Sequence, residues 1–443
     1  MRCLRIHPDN NIIHRIMRYM SSCCQMTCLG RLNEQQKAAD LRATSSHHPV
    51  KNAIRKETRP LHESGFVGKR KTQMTKIVEM SRTHPPLVPT VFDPEYRTAM
   101  EGVLTRYAPS EMVGAHRWMG TEADREAGAT FTGQRLGGTP EVGRVIVTNG
   151  TQSAFNMLLG GLVGHGKVLA VERLTYPPIL VLAQRFGFIP KGVEMDEEGI
   201  IPGALEELCR ADRPKALYLL STLQNPTTAT MSFERRQAIV EVARKYDLQI
   251  IEDDIYSLLP ENLPPPISAL APERSWYLLG VAKTIAAGMK IAYVVAPTAA
   301  AAETQFWPGV RATFWMAAPV SAAVSTQLIE TGGAGRIIEA VRQEMAARHR
   351  IVRPMLSNTD FETKDGALHV WIRLPQSCSA AGLASRIRER GVNIGTGEPY
   401  ALPDEVAPQA IRIGIGHAKS HAELEEAIRI IADCHEADVG RQR

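Results

Sequence analysis

The sequence predicts an α/β fold: a large domain with a mixed, mostly parallel sheet and helices on both faces, and a smaller C-terminal α+β domain. Short apolar runs of β type alternate with helical stretches along most of the chain, as βα crossovers require. The 443 residues, of which 44% are hydrophobic, suffice for a large buried core. A long helical stretch at 335–353 is predicted to end before Pro354 and to bridge the two domains.

Each predicted element comes from a local pattern. Short apolar runs that end in polar or turn residues predict strands. Longer stretches with helical spacing predict helices, and the stretch at 232–246 has Arg and Glu on its polar face. The strands are predicted at 144–147, 167–171, 217–220, 248–251, 276–279, 291–295 and 366–375. The helices are predicted at 153–162, 232–246, 335–353 and 420–433.

Composition narrows the class of protein. No apolar stretch approaches the ~20 residues needed to cross a bilayer, so no membrane partner is expected. The seven cysteines are an odd number without the spacing of a disulfide framework, which favours a reducing cytoplasm. Cys23, Cys24 and Cys28 follow His14 but lack a paired C-x₂-C arrangement, so no metal site is expected.

The basic charge of the chain is concentrated at its beginning. Residues 1–73 contain 14 Lys/Arg and 5 Asp/Glu, whereas the remaining residues contain 38 and 42. This segment shows little helical or strand periodicity. It is compatible with a disordered tail, a nucleic-acid-binding arm, a targeting peptide or a start codon assigned too far upstream. The tail and the upstream start are favoured, and Met74 is the alternative start.

A lysine lies between two predicted strands. Lys283 follows the run 276–279 and precedes the run 291–295, which places it at an edge of the sheet. If this edge is partly desolvated, the ammonium form is disfavoured and the neutral amine can attack an aldehyde to form a Schiff base. A solvated strand end is the alternative interpretation.

Two polar residues follow strands upstream of the lysine. Asp253 comes just after the run 248–251, and the carboxyl ends of strands in open α/β sheets face the ligand crevice. The alternative is that Asp253 and Asp254 cap the next segment. Asn225 lies in the loop after the run 217–220, where an Asn-Pro pair also fits an ordinary turn.

Together these residues describe one chemistry. A pyridine aldehyde cofactor needs an amine to hold it, a carboxylate to keep its ring nitrogen protonated, and hydrogen-bond donors for its phenolic oxygen. Lys283 and Asp253 could supply the first two, and Tyr256 with Asn225 the third. From about residue 76 to residue 433, the chain resembles fold-type I pyridoxal-phosphate-dependent aminotransferases of class I/II. It is most similar to the branch that includes the aminotransferase-like domains of MocR-type regulators.

Three more motifs carry the resemblance. Gly150, Thr151 and Gln152 match the family's phosphate loop, and backbone amides at a helix start favour a phosphate dianion. Tyr176 matches the aromatic residue that stacks on the cofactor ring. Arg412 matches the arginine that grips the substrate carboxylate through two parallel hydrogen bonds. From the residues alone, an ordinary turn, a turn aromatic and an exposed strand arginine are the open alternatives.

The chain departs from the family near the phosphate. The resemblance implies serines three residues before and directly before the lysine, and an arginine seven residues after it. This chain has Gly280, Ala282 and Lys290 at those positions. Glycine and alanine bring no hydroxyl, and lysine keeps the positive charge without the planar fork. We therefore expect a working enzyme with an unusual phosphate site, in which Lys290 contacts the cofactor.

The resemblance also implies the domain organisation and the assembly. We expect a cytoplasmic homodimer that binds amino acids and 2-keto acids, with pyridoxal 5'-phosphate as cofactor and without nucleic acid as a partner. The expected segments are a basic, disordered N-terminal extension (1–75), an arm that joins the small domain (76–112), a large cofactor-binding domain (113–300), bridging helices (301–355) and a small C-terminal domain (356–443).

The activity that the resemblance implies is transamination. An amino acid displaces Lys283 from the cofactor, the freed lysine moves the α-proton, and Asp253 keeps the ring nitrogen protonated. These residues do not fix which bond breaks, so a lyase or a decarboxylase is an alternative. A cofactor-binding transcriptional regulator is another, although residues 1–73 show no winged-helix pattern. The donor amino acid cannot be read from the sequence, because side chains brought together by the fold determine specificity.

Overall fold

The structure is a computed structural model that describes residues 77–440. The expectations for the basic extension, for the alternative start Met74 and for the cysteines near His14 lie outside the described residues. Within the described part, no helix combines the length and the apolar character needed to cross a membrane.

The strands of the described part are short and are labelled in chain order. They are β1 (Val78–Glu79), β2 (Val145–Thr148), β3 (Val168–Glu172), β4 (Ile189–Val193), β5 (Met195–Asp196), β6 (Gly199–Ile200), β7 (Ala216–Leu219), β8 (Gln249–Asp253), β9 (Ser275–Gly280), β10 (Ala292–Val295), β11 (Asp360–Glu362), β12 (His369–Arg373), β13 (Val392–Asn393), β14 (Gly395–Thr396) and β15 (Ala410–Gly414).

The helices alternate with these strands over much of the chain. They are α1 (Pro89–Arg106), α2 (Pro109–Gly114), α3 (Glu122–Leu136), α4 (Thr151–Leu162), α5 (Pro177–Phe186), α6 (Pro202–Asp212), α7 (Phe233–Lys245), α8 (Ile267–Leu270), α9 (Ala299–Ala301), α10 (Trp307–Thr313), α11 (Pro319–Glu330), α12 (Gly333–Met355), α13 (Ala380–Glu389) and α14 (His421–Gly440). A π-helical turn at Ala302–Phe306 joins α9 to α10.

The central sheet has seven strands in the order β2-β10-β9-β8-β7-β3-β4. β10 is antiparallel to both of its neighbours and the other pairs are parallel, so the prediction of a mixed, mostly parallel sheet is confirmed. Residues of β7 alternate between two hydrophobic clusters: Leu217 packs on one face with Leu205 of α6, and Tyr218 on the other with Phe155 of α4. Helices therefore cover both faces, which explains why the strands are almost continuously apolar.

The parallel strands bring several chain segments to one edge of the sheet. Thr148, Glu172, Asp253 and Gly280 are the last residues of β2, β3, β8 and β9, which run in the same direction. β10 begins at this edge, where Ala292 pairs with both Thr148 and Gly280. In open α/β sheets, ligands bind outside the carboxyl ends of the strands. The fold thus places these four residues where a ligand site is expected.

A second, antiparallel sheet has the order β11-β12-β15-β14 and contains the C-terminal strands. β1 pairs in parallel with β13, and the chain after β1 runs along β15, where the Gly414 amide donates to the Met80 carbonyl at 2.6 Å. A Cβ atom at Gly414 would collide with the Arg82 carbonyl oxygen. Only glycine allows two backbones to approach so closely. We call residues 81–84, which follow this contact, the arm segment.

Some predicted boundaries were wrong. The helix predicted at 335–353 extends over Gly333–Met355 and contains Pro354. Proline's fixed φ is compatible with helical geometry, so Pro354 removes one amide donor, for the carbonyl four residues earlier, without ending α12, and the helix continues for one more residue. The strand predicted at 366–375 is shorter, because Gly366 adopts a left-handed conformation with φ +77° in the preceding turn.

The approach of the arm segment to β15 predicts the effect of two glycine substitutions. Gly414→Ala should lower the free energy of unfolding by about 1–3 kcal/mol, because the new methyl group meets backbone atoms that cannot rotate away. Gly335→Ala is the matched control: Gly335 lies in α12 with open space around it, so alanine should raise stability by about 0.5–1 kcal/mol. Urea unfolding of both variants measures the difference. Equal stability of the two variants would contradict the close approach.

Candidate active site

A cavity of about 600 Å³ opens at the carboxyl edge of the central sheet. Its walls come from the strand ends, the start of α4, the arm segment and β15. The structure brings together in this cavity every residue that the sequence predicts for the site. They are Gly150, Thr151, Gln152, Tyr176, Asn225, Asp253, Tyr256, Lys283, Lys290 and Arg412.

Lys283 lies in a 3₁₀ turn directly after β9. Its Nζ atom donates hydrogen bonds to the Thr83 carbonyl at 2.5 Å and to Thr83 Oγ1 at 3.0 Å, so the amine is held by the arm segment. Burial lowers the pKa of Lys283 to about 8, and the charges of Arg412 and Lys290 act in the same direction. A substantial fraction of this amine is therefore neutral slightly above neutral pH, as a nucleophile or a base requires.

Asp253, at the end of β8, is almost fully buried. Its Oδ2 atom accepts a hydrogen bond from the Tyr218 hydroxyl at 3.2 Å, and its Oδ1 atom has no hydrogen-bond partner among the described residues. Burial raises the pKa of Asp253 to about 7, with a further contribution from Asp254, while the Tyr218 hydrogen bond opposes the shift. An orphaned buried carboxylate oxygen in a cavity is suited to a ligand that carries a proton on nitrogen.

The capping interpretation of the two aspartates does not hold in the structure. The side chain of Asp254 accepts hydrogen bonds from the Tyr277 hydroxyl at 2.9 Å and from Arg135 Nε at 3.4 Å. Asp253 is bound by Tyr218 instead of by a helix N-terminus. Both carboxylates therefore face buried partners, and only Asp253 lines the cavity.

Arg412 is a buried residue of β15. Its Nη1 atom donates to Asn225 Oδ1 at 2.7 Å and its Nη2 atom donates to the Ser81 carbonyl at 2.5 Å. The guanidinium lies over the ring of Tyr400, with 5.3 Å between its carbon and the ring centroid. Arg412 is thus oriented into the cavity by three elements, and the interpretation as an exposed strand arginine was wrong.

Two tyrosines present their hydroxyl groups to the cavity. The Tyr256 hydroxyl lies 3.3 Å from Thr83 Oγ1, and the Tyr176 hydroxyl accepts a hydrogen bond from Gln152 Nε2 at 3.0 Å. Burial raises the pKa of both phenols above the ordinary value. Both hydroxyls therefore keep their protons and can donate hydrogen bonds to a ligand.

The start of α4 also faces the cavity. Gly150, with φ +84°, is the N-cap, and its carbonyl accepts from the amides of Ser153 and Ala154. The amides of the first two helical residues, Thr151 and Gln152, are free of intrahelical bonds by position, as in every α-helix. Such an N-terminus favours an anion.

The charges of the lining residues favour anionic ligands. Arg82, Lys283, Lys290 and Arg412 are the cationic side chains that line the cavity in the described part of the chain, and Asp253 is the only carboxylate. In a partly desolvated site this excess attracts anions such as phosphate or carboxylate.

Sequence reasoning missed several lining residues. Those of the arm segment, which include Thr83 and His84, come from a part of the chain about 200 residues before Lys283, and no local pattern points to them. Burial and the nearby Lys283 lower the pKa of His84 to about 4, so this side chain is neutral. Sequence reasoning also missed Tyr218, which binds Asp253 without lining the cavity. It could have been found only from the register of the sheet, since it pairs with Ile251, two residues before Asp253 and on the same face.

The family model for aminotransferase class I and II matches residues 116–431. The chain belongs to this family. Among solved structures, this chain is similar to an archaeal alanine:glyoxylate aminotransferase, with a TM-score of 0.73, 24% identity, and 83% of this chain and 92% of the other covered. It is also similar to LysN, an α-aminoadipate aminotransferase from Thermus thermophilus complexed with N-(5'-phosphopyridoxyl)-L-leucine, with a TM-score of 0.73, 22% identity and coverages of 82% and 93%. At these identities the likeness shows the fold.

The relatives of this chain include proteins named as regulators and proteins named as aminotransferases. The uncharacterized HTH-type transcriptional regulator YdeF of Bacillus subtilis is 26% identical over 302 residues, 67% of this chain and 64% of YdeF. The 2-aminoadipate transaminase of Thermus thermophilus is 28% identical over 286 residues, 61% of this chain and 70% of that enzyme. The aromatic amino acid aminotransferase C1773.13 of Schizosaccharomyces pombe is 38% identical over 119 residues, 26% of this chain and 25% of that enzyme.

Family membership implies pyridoxal 5'-phosphate as the cofactor, and the residues of the cavity fit it. A desolvated lysine can hold the aldehyde carbon, and the orphaned Oδ1 of Asp253 can accept from a protonated ring nitrogen. The start of α4 and Lys290 suit the phosphate. Gly280 leaves space beside this helix start: a Cβ atom there would lie 3.5 Å from the Thr151 methyl carbon, an ordinary van der Waals distance.

The lowered pKa of Lys283 predicts its reactivity as a function of pH. The neutral, reactive fraction of an amine grows as pH rises through its pKa, so labelling of Lys283 by pyridoxal and cyanoborohydride should reach half its maximum near pH 8. An ordinary exposed lysine requires a pH near ~10.4. Arg412→Met removes a cation that lowers this pKa, so its midpoint should lie at higher pH.

Peptide mass spectrometry measures this labelling at Lys283, with the exposed Lys364 in the same sample as the internal control. If the midpoint of Lys283 coincides with that of Lys364, the desolvation of the amine is disproved.

The space beside Gly280 predicts a variant with a stronger phosphate site. The backbone at Gly280 is extended, with φ −114° and ψ 148°, so a larger residue fits without strain. Gly280→Ser adds a hydroxyl beside the helix start, and one hydrogen bond to a charged group should tighten cofactor binding roughly tenfold. Gly280→Ala adds the same Cβ atom without the hydroxyl and should bind as the unmodified chain does. Absorbance titrations measure the dissociation constant of the cofactor for each variant. Equal constants for the serine and alanine variants would refute the predicted hydrogen bond to the phosphate.

Proposed function

We propose that this chain is a pyridoxal-phosphate-dependent aminotransferase that moves an amino group between an amino acid and a 2-keto acid. The observation that carries the proposal is the convergence of a desolvated lysine, an orphaned buried carboxylate and a buried arginine on one cavity. The lysine suits a covalently held aldehyde and proton transfer. The carboxylate suits a protonated ring nitrogen, and the arginine suits a substrate carboxylate.

When bound, pyridoxal phosphate supplies an electron sink that makes the α-proton of an amino acid removable. Lys283 would accept this proton on Nζ and hold it for return to carbon, a task for which a pKa of about 8 is well matched. Asp253 would keep a proton on the ring nitrogen through its Oδ1 atom, which has no partner among the described residues. The Tyr256 hydroxyl and Asn225, which line the cavity, would hydrogen-bond the phenolic oxygen, and the ring of Tyr176 would offer an aromatic surface to the heterocycle.

Arg412 binds the substrate carboxylate. Its Nη1 atom remains on Asn225, and its Nη2 atom exchanges the Ser81 carbonyl for the carboxylate. A charged acceptor forms a stronger hydrogen bond with guanidinium than a neutral carbonyl does, so this exchange is favourable. The ring of Tyr400 below the guanidinium restricts its orientation.

The proposed assembly is a homodimer in the cytoplasm. A largely exposed aromatic surface beside the cavity supports the dimer: Phe314 is 62% exposed, its ring lies 5.4 Å from that of Trp118, and the neighbouring Trp315 lines the cavity. Apolar surface of this kind commonly marks an interface. The buried thiols of Cys209 and Cys434 agree with a reducing compartment.

Two other functions use the same site. A lyase or a decarboxylase needs the same lysine and aspartate, because the cofactor and not these residues supplies the chemistry. A cofactor-binding regulator is a second candidate, since YdeF is an HTH-type regulator by name. DNA binding by the whole chain that is lost on deletion of residues 1–73 would favour the regulator.

An absorbance spectrum and a panel of donors test the proposal. The purified protein with pyridoxal phosphate should show a visible band that Lys283→Ala abolishes. Amino acids, including 2-aminoadipate and aromatic ones, should yield 2-keto acids when 2-oxoglutarate or pyruvate is the acceptor. Asp253→Asn should retain the band and lose activity on the order of 10²-fold, because the ring nitrogen loses its anionic partner.

The panel separates the alternatives. Release of carbon dioxide or of a side-chain fragment without an amino acceptor would replace the aminotransferase by a decarboxylase or a lyase. A spectrum without any visible band would exclude all three enzymes.

A further inference from the structure

Gln224 lies, fully buried, between the loops that carry Tyr176 and Asn225. Its Nε2 atom donates to the Leu174 carbonyl at 2.6 Å, two residues before Tyr176, and to the Asn225 carbonyl at 3.1 Å. One side-chain amide thus joins the two loops that approach the cavity from different strands.

The other end of the same amide fixes the loop after Asn225. Gln224 Oε1 accepts from the Thr227 amide at 3.0 Å and from the Thr227 hydroxyl at 2.7 Å. The backbone N–H of Gln224 also donates a hydrogen bond to the Ala229 carbonyl in the same loop. Every polar atom of this side chain is engaged, so the amide has one orientation and cannot rotate without losing several hydrogen bonds.

Glu172 binds the side chain of Gln224 and anchors it to the end of β3. It is the last residue of β3, it is fully buried, and its Oε2 atom accepts from Gln224 Nε2 at 3.1 Å. Its Oε1 atom accepts from the Leu220 amide at 3.3 Å, and no cation of the described chain forms an ion pair with it. Burial raises the pKa of this carboxyl group to about 8. Within the described chain, Glu172 is therefore held by these hydrogen bonds alone, without a countercharge.

We propose, on the basis of the aminotransferase function, that Gln224 anchored on Glu172 is a positioning residue that sets the separation between Tyr176 and the Asn225–Arg412 pair. Neither Gln224 nor Glu172 lines the cavity, so the pair acts through the two loops. The Asn225 side chain holds Arg412 through a 2.7 Å hydrogen bond, and Tyr176 lines the same cavity. The distance between these groups determines whether cofactor and substrate carboxylate are held at the same time.

Gln224→Met tests the proposal, since methionine keeps the approximate size and loses all the hydrogen bonds. The probe is 2-aminoisobutyrate, which has an α-amino and an α-carboxylate group and no α-hydrogen, so it can bind without proton transfer. Its dissociation constant, followed through the visible band of the cofactor-loaded protein, should rise about tenfold or more. The dissociation constant of the cofactor itself should change less than about twofold, because Lys283 still holds it.

Gln409→Met is the matched control. Gln409 Oε1 accepts from the Ala380 amide at 2.9 Å at the start of α13, and the residue does not line the cavity. Both variants should lower the melting temperature by a few degrees, but only Gln224→Met should weaken the binding of 2-aminoisobutyrate. Should Gln224→Met not fold, Glu172→Gln keeps the size, removes the buried carboxyl group that anchors Gln224, and should weaken binding in the same direction.

The outcomes are distinguishable. If the unmodified chain shows no visible band with pyridoxal phosphate, the proposed function fails, and this inference with it. If the unmodified chain binds both molecules and the Gln224 variant binds 2-aminoisobutyrate equally well, the positioning role alone is overturned. Equal weakening by the Gln409 variant would also overturn it, because the effect would then follow general stability.

Discussion

Burial at the carboxyl edge of the central sheet is the constraint on which the site depends. It acts in opposite directions on the two groups that matter: it raises the pKa of Asp253 to about 7 and lowers the pKa of Lys283 to about 8. In water these groups would titrate at ~3.9 and ~10.4, far from each other and from neutral pH. The low dielectric of the buried site brings both pKa values close to neutral pH, where each group is present in both protonation states. Side chains that faced solvent would show neither shift.

The topology of the sheet decides which residues share this environment. β8 and β9 are adjacent and parallel, so Asp253 and the turn that carries Lys283 emerge at the same edge although 30 positions separate them. β7 lies beside β8, so Tyr218 of β7 is next to Asp253 of β8. The loop that carries Asn225 follows β7. The chemistry therefore follows from strand order, and the same residue types on an antiparallel sheet would point to different edges.

Sequence reasoning predicted the parts of the site that are local and missed those that are not. Asp253 and Lys283 could be found because each marks an abrupt change from an apolar run to polar residues. Thr83 could not, because it reaches Lys283 only through the packing of the chain after β1 on the second sheet. The end of α12 was misplaced because Pro354, whose fixed φ suits a helix, removes a single amide donor and does not end the helix. The extension at 1–75 and the domain boundaries remain predictions.

The arm segment couples the two functional groups of the cavity. The Lys283 amine is bound to Thr83, and the Arg412 guanidinium to the carbonyl of Ser81, only two residues away. A shift of this short segment therefore changes the environments of the nucleophile and of the carboxylate site together. The segment is held by the pairing of β1 with β13 and by its close approach to Gly414. A ligand that replaces both sets of hydrogen bonds releases the arm segment at two points. Occupancy of the cavity and the position of the arm segment are therefore linked.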